Sequence, residues 1–271
     1  MRIVMIGAGN LATNLGKALH GAGHDFVQVY SRTIEAAEEL AKTVGGAATN
    51  DIGNLVVDAD VYILAIKDSA MADIIPQACK GREQRVFLHT AGSMPMDTFE
   101  GMALHYGVLY PLQTFTKSRE VDFSGIPIFV EANDGYAAET IVRLAESISH
   151  TIYPLSSEDR QYLHLAAVFA CNFANCCYDM AAYIMEKRAL PFRALLPLID
   201  ETTLKVHEMT PAEAQTGPAV RYDENVIRAQ SMMLRDNPLL KDIYERMSVN
   251  IHKRAQELKK KRRRGDRDDQ L

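Results

Sequence analysis

The chain has 271 residues, of which 47% are hydrophobic and 24% are charged, and its formal net charge at pH 7 is -5. These values are ordinary for a soluble globular protein. The acidic balance gives no electrostatic reason to expect nucleic acid as the main partner. The length suits one large domain or two smaller ones.

The four cysteines, Cys79, Cys171, Cys176 and Cys177, indicate neither a disulfide framework nor a metal site. Three of them fall in one predicted helix, and their spacing lacks the paired CxxC motifs of zinc sites. The first apolar run ends at Gly7, and a run of this length is too short for a secretory signal. No run approaches the roughly 18 apolar residues of a membrane span. We therefore expect a cytoplasmic protein with no bound metal and no membrane partner.

Short apolar runs alternate with helical patterns over the first half of the chain. This alternation predicts an α/β fold, with a Rossmann-type, doubly wound and mainly parallel sheet that has helices on its faces. The predicted strands are Ile3–Ile6, Phe26–Tyr30, Val61–Ala65, Val86–His89, Gly107–Tyr110 and Ile126–Val130, with an edge strand at Thr151–Tyr153, and the first helices are Asn10–His20 and Ile34–Thr43.

After Pro154 nearly every segment has a helical pattern. Ser156 or Ser157 is the predicted N-cap of a long apolar helix, since both precede acidic residues. We expect three segments: a Rossmann domain at 1–154, an all-helical domain at 155–258 and a charged tail at 259–271. Further helices are predicted at Phe192–His207, Asp223–Arg235 and Pro238–Lys260.

The stretch "GAGNLA" matches the G-x-G-x-x-A form of the dinucleotide-binding fingerprint. Gly7 permits the tight turn, Gly9 leaves room for a pyrophosphate, and Ala12 allows the helix to approach the strand. The first turn of the following helix offers free N–H groups to phosphate. The cofactor-binding residues predicted here are Gly7, Ala8, Gly9, Asn10 and Leu11.

The end of the second predicted strand favours NADP over NAD. NAD-binding domains commonly place an acidic residue there for the ribose hydroxyls. This chain has Ser31, Arg32 and Thr33 instead. An arginine between two hydroxyl groups would bind the 2′-phosphate that a carboxylate would repel.

Two later strand ends also reach the predicted crevice, because ligands bind at the carboxyl ends of parallel strands. Ala65, Ile66 and Lys67 are predicted beside the cofactor. His89 is a candidate catalytic residue, although a histidine at a strand end is often simply buried. Thr90 and Gly92 are predicted to contact the cofactor and Ser93 the substrate.

The long apolar helix carries a polar stripe of His164, Asn172, Asn175 and Asp179, which fall in one quadrant at 100° per residue. Such a stripe faces either a polar cleft or solvent, because buried polar groups need partners. In the cleft interpretation, His164 and Asn172 are catalytic candidates and Asn175 contacts the substrate.

A turn at "TGPAVRYDEN" contributes two more candidates. Thr216 and Arg221 could hold a carboxylate or phosphate of the substrate. Asp223, which follows them, could equally be the N-cap of the next helix, and this capping role explains it without a substrate contact.

These features together resemble the superfamily of 6-phosphogluconate and β-hydroxyacid dehydrogenases and pyrroline-5-carboxylate reductase. More narrowly, "HTAGS", "YPLQTF", "NFANCCYDMA" and "TGPAVRYDENV" resemble an uncharacterised branch. That branch, of the DUF2520 type, joins a Rossmann-like NADP oxidoreductase domain to a helical domain of unknown function.

The resemblance implies hydride transfer between NADPH and a small keto or imino substrate in an interdomain cleft, by a homodimer that pairs through its helical domain. One departure matters. β-Hydroxyacid dehydrogenases carry a catalytic lysine four residues before an asparagine. If that asparagine is Asn172, the lysine position is Val168. Either His164 or His89 replaces the lysine as acid or base, or the protein is a non-catalytic NADP sensor or scaffold.

Overall fold

The structure is a computed structural model that describes residues 1–268. The chain forms two compact units, Met1–Ala174 and Asn175–Leu271. The final three residues of the predicted charged tail, 269–271, lie outside the described residues.

Eight strands of the first unit form one sheet. They are β1 Arg2–Ile6, β2 Asp25–Tyr30, β3 Ala47–Thr49, β4 Val61–Leu64, β5 Val86–His89, β6 His105–Pro111, β7 Ile128–Ala132 and β8 Ile152–Pro154. Their order is β3-β2-β1-β4-β5-β6-β7-β8. Every neighbouring pair is parallel except β6 and β7. The predicted fold class, a Rossmann-type and mainly parallel sheet followed by helices, is confirmed.

Helices cover both faces of this sheet. Leu15, Leu40 and Ile141 belong to the buried apolar cluster on one face, whereas Met71 and Ile75 belong to a second cluster on the other face. The parallel strands are therefore buried on both sides, as expected for a doubly wound sheet. The helices are α1 Asn10–Gly21, α2 Ile34–Val44, α3 Met71–Cys79 and α4 Gly135–Glu146.

The structure differs from the predicted secondary structure at a few elements. Strand β7 begins at Ile128 and not at Ile126, because the Ile126 N–H donates to the Phe123 carbonyl oxygen at 3.0 Å in a turn and Pro127 has no N–H to donate. Strand β3 and helix α4 were not predicted. β3 has only three residues, Ala-Ala-Thr, which give almost no periodic signal.

A continuous helical segment runs from Ser157 to Glu186. It consists of α5 Ser157–Ala167, a π-helical turn at Val168–Phe173 and α6 Ala174–Glu186. The N-cap of α5 is Ser156, whose hydroxyl accepts from the Asp159 N–H. By length and composition alone, these 30 residues would be sufficient to cross a membrane.

The second unit contains helices joined by turns, with no strand among its described residues. Ala219 and Leu240 are buried there, where the short helix Pro218–Arg221 packs on the helix that begins at Pro238. Many of its large apolar side chains stay exposed, including Leu198, Leu204 and Met233. After α6, its helices are α7 Leu196–Glu208, α8 Pro211–Ala214, α9 Pro218–Arg221, α10 Glu224–Met233 and α11 Pro238–Asp268.

The sheet ends at Pro154, the point where the sequence places the domain boundary, while the two compact units divide twenty residues later, after Ala174. Helix α5 and the π-helical turn therefore belong to the first unit. The first turns of α5 are hydrogen-bonded to the loop after β5 and to Glu131 of β7.

Candidate active site

The turn between β1 and α1 has two glycines with different constraints. Gly7 has φ +122°, and a Cβ there would lie 2.2 Å from the Ala65 carbonyl oxygen. Its N–H donates to the Tyr30 carbonyl oxygen at 2.8 Å. A Cβ at Gly9 would meet no other part of the chain within 4 Å. The fold itself therefore requires Gly7, whereas the open space at Gly9 fits a ligand that approaches the backbone.

The start of α1 is suited to an anion. Gly9 is the N-cap, it has no side chain to accept a hydrogen bond, and the first turn contains no acidic residue. The first N–H groups of the helix therefore lack an intrachain acceptor and carry the positive end of the helix dipole. Ala12 is fully buried, which lets the helix pack closely on the sheet. These residues fit the pyrophosphate of a dinucleotide.

The carboxyl end of β2 supplies a cation beside this turn. Ser31 and Arg32 line the same cavity as the glycine turn. Arg32 is exposed, and it has no ion-pair partner among the side chains of residues 1–261. Thr33 is the N-cap of α2, its hydroxyl makes no capping bond, and it lies outside the cavity lining.

One cavity of about 1130 Å³ runs along the carboxyl ends of the strands. Pockets for drug-sized ligands span roughly 300–1,000 Å³, so this cavity has room for a dinucleotide with a small second molecule. It brings together most of the predicted site. The predicted residues that line it are Gly7, Ala8, Gly9, Asn10, Leu11, Ser31, Arg32, Ala65, Ile66, Lys67, Thr90, Gly92, His164 and Asn172.

His89 is not among the cavity-lining residues. It is fully buried, its Nδ1 accepts from the Ala91 N–H at 3.2 Å, and its Nε2 lies 3.3 Å from the Pro95 carbonyl oxygen. Burial, assisted by the positive charge of Arg160, lowers the pKa of His89 to about 4. The ring is therefore neutral at physiological pH, and both of its nitrogens are used to shape the loop after β5. The geometry does not support the predicted catalytic role of His89.

Ser93 also lies outside the cavity lining. Its hydroxyl donates to the carboxylate of Asp68, which does line the cavity, and its carbonyl oxygen accepts from Gln161 Nε2 at 3.1 Å. Thr90 lines the cavity, and its hydroxyl donates to the Leu64 carbonyl oxygen at 3.3 Å. Both hydroxyl groups are thus engaged in fixing the loop.

Helix α5 is bonded along its first turns to this loop. The Met96 N–H donates to Ser157 Oγ at 2.8 Å, and Arg160 Nη2 donates to the Met94 carbonyl oxygen at 2.6 Å. Arg160 is only 1% exposed and forms an ion pair with Glu131 of β7. These bonds join the start of α5 both to the loop after β5 and to β7. The next helical turn then places His164 in the cavity wall.

His164 packs directly against the backbone of Gly92. A Cβ at Gly92 would lie 2.6 Å from the Nδ1 atom of His164. On its other side, the same Nδ1 lies 3.0 Å from the hydroxyl of Tyr110, at the carboxyl end of β6. Only glycine at position 92 permits this placement of the imidazole.

The π-helical turn at Val168–Phe173 alters the predicted polar stripe. Constant rotation of 100° per residue does not hold through a π-helix, which has a wider turn. Val168, Cys171 and Asn172 nevertheless line the cavity. Such turns occur frequently at functional sites. Asn175 and Asp179 follow in the second unit, where both are exposed.

Thr216 and Arg221 also belong to the second unit. Both are exposed. They flank a constrained turn in which Gly217 has φ +104° and Tyr222 has φ +57°. Asp223 accepts from the Val226 N–H as the N-cap of α10, as predicted. Substrate binding by Asn175, Thr216 and Arg221 stays a prediction.

Sequence reasoning missed the contribution of β6 to the site. Tyr110, Gln113 and Thr114 line the cavity, and they belong to the quoted motif "YPLQTF". The available signal was topological. β6 is parallel to β5, so its carboxyl end lies at the same edge of the sheet as His89.

The fold and the glycine turn define a Rossmann-type protein with a site for a nicotinamide cofactor. Two family models match the chain: "NADP oxidoreductase coenzyme F420-dependent" over residues 2–90 and the domain of unknown function DUF2520 over residues 126–251.

The crystal structure of a candidate NADP oxidoreductase from Bacteroides fragilis is 51% identical in sequence, with a TM-score of 0.90. The match covers 93% of this chain and 98% of that one. The chain therefore belongs to this family of NADP oxidoreductases, in which a Rossmann domain precedes a DUF2520 domain.

More distant proteins share the fold. An imine reductase from Myxococcus stipitatus, solved in complex with NADP+, has a TM-score of 0.62 at 13% identity, and the match covers 96% of this chain and 94% of that one. A glutamyl-tRNA reductase from Halalkalibacterium halodurans is 28% identical over 143 residues. That match covers 48% of this chain and spans 31% of the reductase.

The buried His89 predicts a specific acid sensitivity. Its pKa is about 4 in the folded protein against an ordinary value of 6.5, so the unfolded chain binds more protons between these values and stability falls as the pH drops through this window. The expected loss from pH 7 to pH 5 is about 2 kcal/mol.

The test compares urea unfolding of the wild type and His89→Asn at pH 7 and pH 5. Asparagine can accept the Ala91 N–H without titrating, so the variant should lack about 2 kcal/mol of the pH dependence. An equal pH dependence in the two proteins would contradict a neutral, buried His89.

Proposed function

We propose that the protein is an NADP-dependent reductase that transfers a hydride from NADPH to a small keto or imino compound. One observation carries the proposal: the glycine turn, Arg32, His164 and Asn172 line a single cavity. A phosphate-binding turn and a titratable group thus share one space. A binding protein needs the first of these, whereas a reductase needs both.

The cofactor preference rests on Arg32. Ser31 and Arg32 stand at the end of β2 where NAD-binding domains place a carboxylate. Because Arg32 has no carboxylate partner within the described chain, its guanidinium is available to a 2′-phosphate. NADPH supplies the hydride when bound, and the chain supplies the binding groups and the proton.

The proton is assigned to His164. Val168 lines the cavity at the position where the family resemblance places a lysine, and it cannot transfer a proton. His164 lies four residues earlier, one helical turn away, and lines the same cavity. Imidazole titrates near neutrality and is the usual general acid of enzymes. Hydrogen bonding of the substrate is assigned to the amide of Asn172, which lines the same cavity.

The second candidate is an NADP sensor without catalysis. It is favoured by Val168, since the familiar acid is missing, and the position of His164 argues against it. The two candidates differ in whether any substrate is turned over when the cofactor binds tightly.

The cofactor proposal predicts tighter binding of NADPH than of NADH. Arg32→Gln should weaken NADPH binding by about 10- to 100-fold, because charge-assisted hydrogen bonds contribute roughly 1.5–3 kcal/mol, and should leave NADH binding unchanged. Lys42→Gln is the matched control, since it removes one exposed cation from α2 outside the cavity. Tighter binding of NADH by the wild type would refute the proposal.

The reductase proposal predicts oxidation of NADPH with a member of a broad panel of small keto and imino acids. His164→Ala should reduce kcat by roughly 10²- to 10⁴-fold with the NADPH dissociation constant unchanged, and Asn172→Ala should raise KM. His150→Ala, which replaces an exposed histidine away from the cavity, serves as the control. No turnover on the panel, together with tight NADPH binding, would favour the sensor.

We also propose that the protein is a homodimer that pairs through its helical unit. Large exposed apolar side chains support this, because extended apolar surfaces mark interaction sites. Leu198 is 63% exposed and Leu204 58% exposed, both on α7. Sedimentation equilibrium should give twice the 30.2 kDa mass of one chain, and a monomer at micromolar concentration would contradict the proposal.

A further inference from the structure

Tyr110 is the last tyrosine of β6, and its hydroxyl lies inside the site. The distance from this hydroxyl to Nδ1 of His164 is 3.0 Å. The two rings meet edge to face, with centroids 6.1 Å apart and an interplanar angle of 73°. Tyr110 is only 9% exposed, and it lines the cavity together with His164.

The imidazole of His164 is constrained from two directions. The backbone of Gly92 lies so close that a Cβ there would be 2.6 Å from Nδ1 and 2.7 Å from Cγ of the ring. The Tyr110 hydroxyl engages Nδ1 from another direction. Within residues 1–261, whose side chains the structure describes, Nε2 of His164 has no hydrogen-bond partner. Of the two ring nitrogens, Nε2 is therefore the one available to a ligand.

Tyr110 stays a neutral phenol. Burial raises the pKa of its hydroxyl, and the positive charge of Arg160 opposes this only in part. His164 is the only partner of this hydroxyl among the residues that the structure describes. A hydroxyl can donate one hydrogen bond and accept others. It can thus accept from Nδ1–H of the imidazolium and also from Nδ1–H of the neutral ring that remains when Nε2 has given up its proton.

We propose that Tyr110 is a positioning residue that holds Nδ1 of His164 in both protonation states, so that Nε2 is the atom that delivers the proton to the substrate. This inference rests on the proposed reductase function. It assigns a role to the "YPLQTF" motif that the cofactor site alone does not explain.

NADPH held at the glycine turn and Arg32 would supply a hydride to the substrate carbon, so that the π bond of the carbonyl or imine would break and its electron pair would stay on the oxygen or nitrogen. The imidazolium of His164 gives its Nε2 proton to that atom. The ring is left neutral with its remaining proton on Nδ1, where the Tyr110 oxygen accepts it. Tyr110 itself neither gains nor loses a proton.

The protonation pattern of the ring tests the proposal without a substrate. Long-range proton–nitrogen correlation spectra of the NADP+ complex, recorded where the ring is neutral, should show His164 with its proton on Nδ1 and an unprotonated Nε2. His164→Gln identifies the resonances. Tyr110→Phe should shift the Nδ1 resonance and introduce the second tautomer.

Tyr106→Phe is the matched control, because Tyr106 is on the same strand and lies outside the cavity lining. Its spectrum should equal that of the wild type. A wild-type neutral ring that is a mixture of tautomers, or protonated on Nε2, overturns the proposal even if Tyr110→Phe does not fold. An unchanged Nδ1 resonance in a folded Tyr110→Phe overturns it as well.

Turnover gives a second readout once the panel supplies a substrate. Tyr110→Phe should lower kcat by about 10- to 100-fold, a part of what general acid catalysis contributes, with KM and the NADPH dissociation constant within threefold of the wild type. A loss confined to KM would contradict the assignment. If no panel member reacts, the reductase proposal fails, while the spectra still decide the role of Tyr110.

Discussion

The ion pair between Arg160 and Glu131 joins helix α5 to the sheet, and the cavity wall depends on it. Arg160 is almost completely buried, so its charge requires compensation, which the Glu131 carboxylate and the Met94 carbonyl oxygen provide. These contacts fix the first turns of α5 against the loop after β5. The next turn then has to place His164 against Gly92, within hydrogen-bond distance of Tyr110.

The end of the cavity at the β1–α1 turn depends on the backbone and not on a buried ion pair. At the β1–α1 turn no buried charge is involved. The site there consists of backbone N–H groups and of the space that glycines leave open. Gly7 satisfies the geometry of the turn, and Gly9 leaves open space in front of the helix. The cofactor end is thus defined by what the backbone offers, and the proposed chemical end by side chains held through hydrogen bonds.

The local features of the fold could be predicted from the sequence, because they depend on neighbouring residues. The apolar runs of β1, β2, β4 and β5 are visible as patterns, and "GAGNLA" between a strand and a helix indicates the dinucleotide turn. The caps Ser156 and Asp223 were readable for the same reason. Strand β3 was not predicted, because its three small residues take their structure from pairing with β2.

The side-chain environment of the site could not be predicted to the same extent. His89 ends a strand at the correct edge of the sheet, and yet its side chain is buried on a face packed against Phe99. The contact of Tyr110 with His164 joins residues 54 positions apart, for which a single sequence gives no pairing signal. The π-helical turn changes the rotation along the helix, so a projection at constant angle fails beyond Val168.

The central claim is that one cavity holds a dinucleotide along the strand ends, with its reactive ring beside His164. Crystallographic density for NADP+ soaked into or grown with the protein tests it most directly. The account predicts the pyrophosphate at the first turn of α1, the 2′-phosphate at Arg32 and the nicotinamide on the side of the cavity lined by Tyr110 and His164. Density that places the nicotinamide outside the cavity, or the 2′-phosphate away from Arg32, would contradict the account.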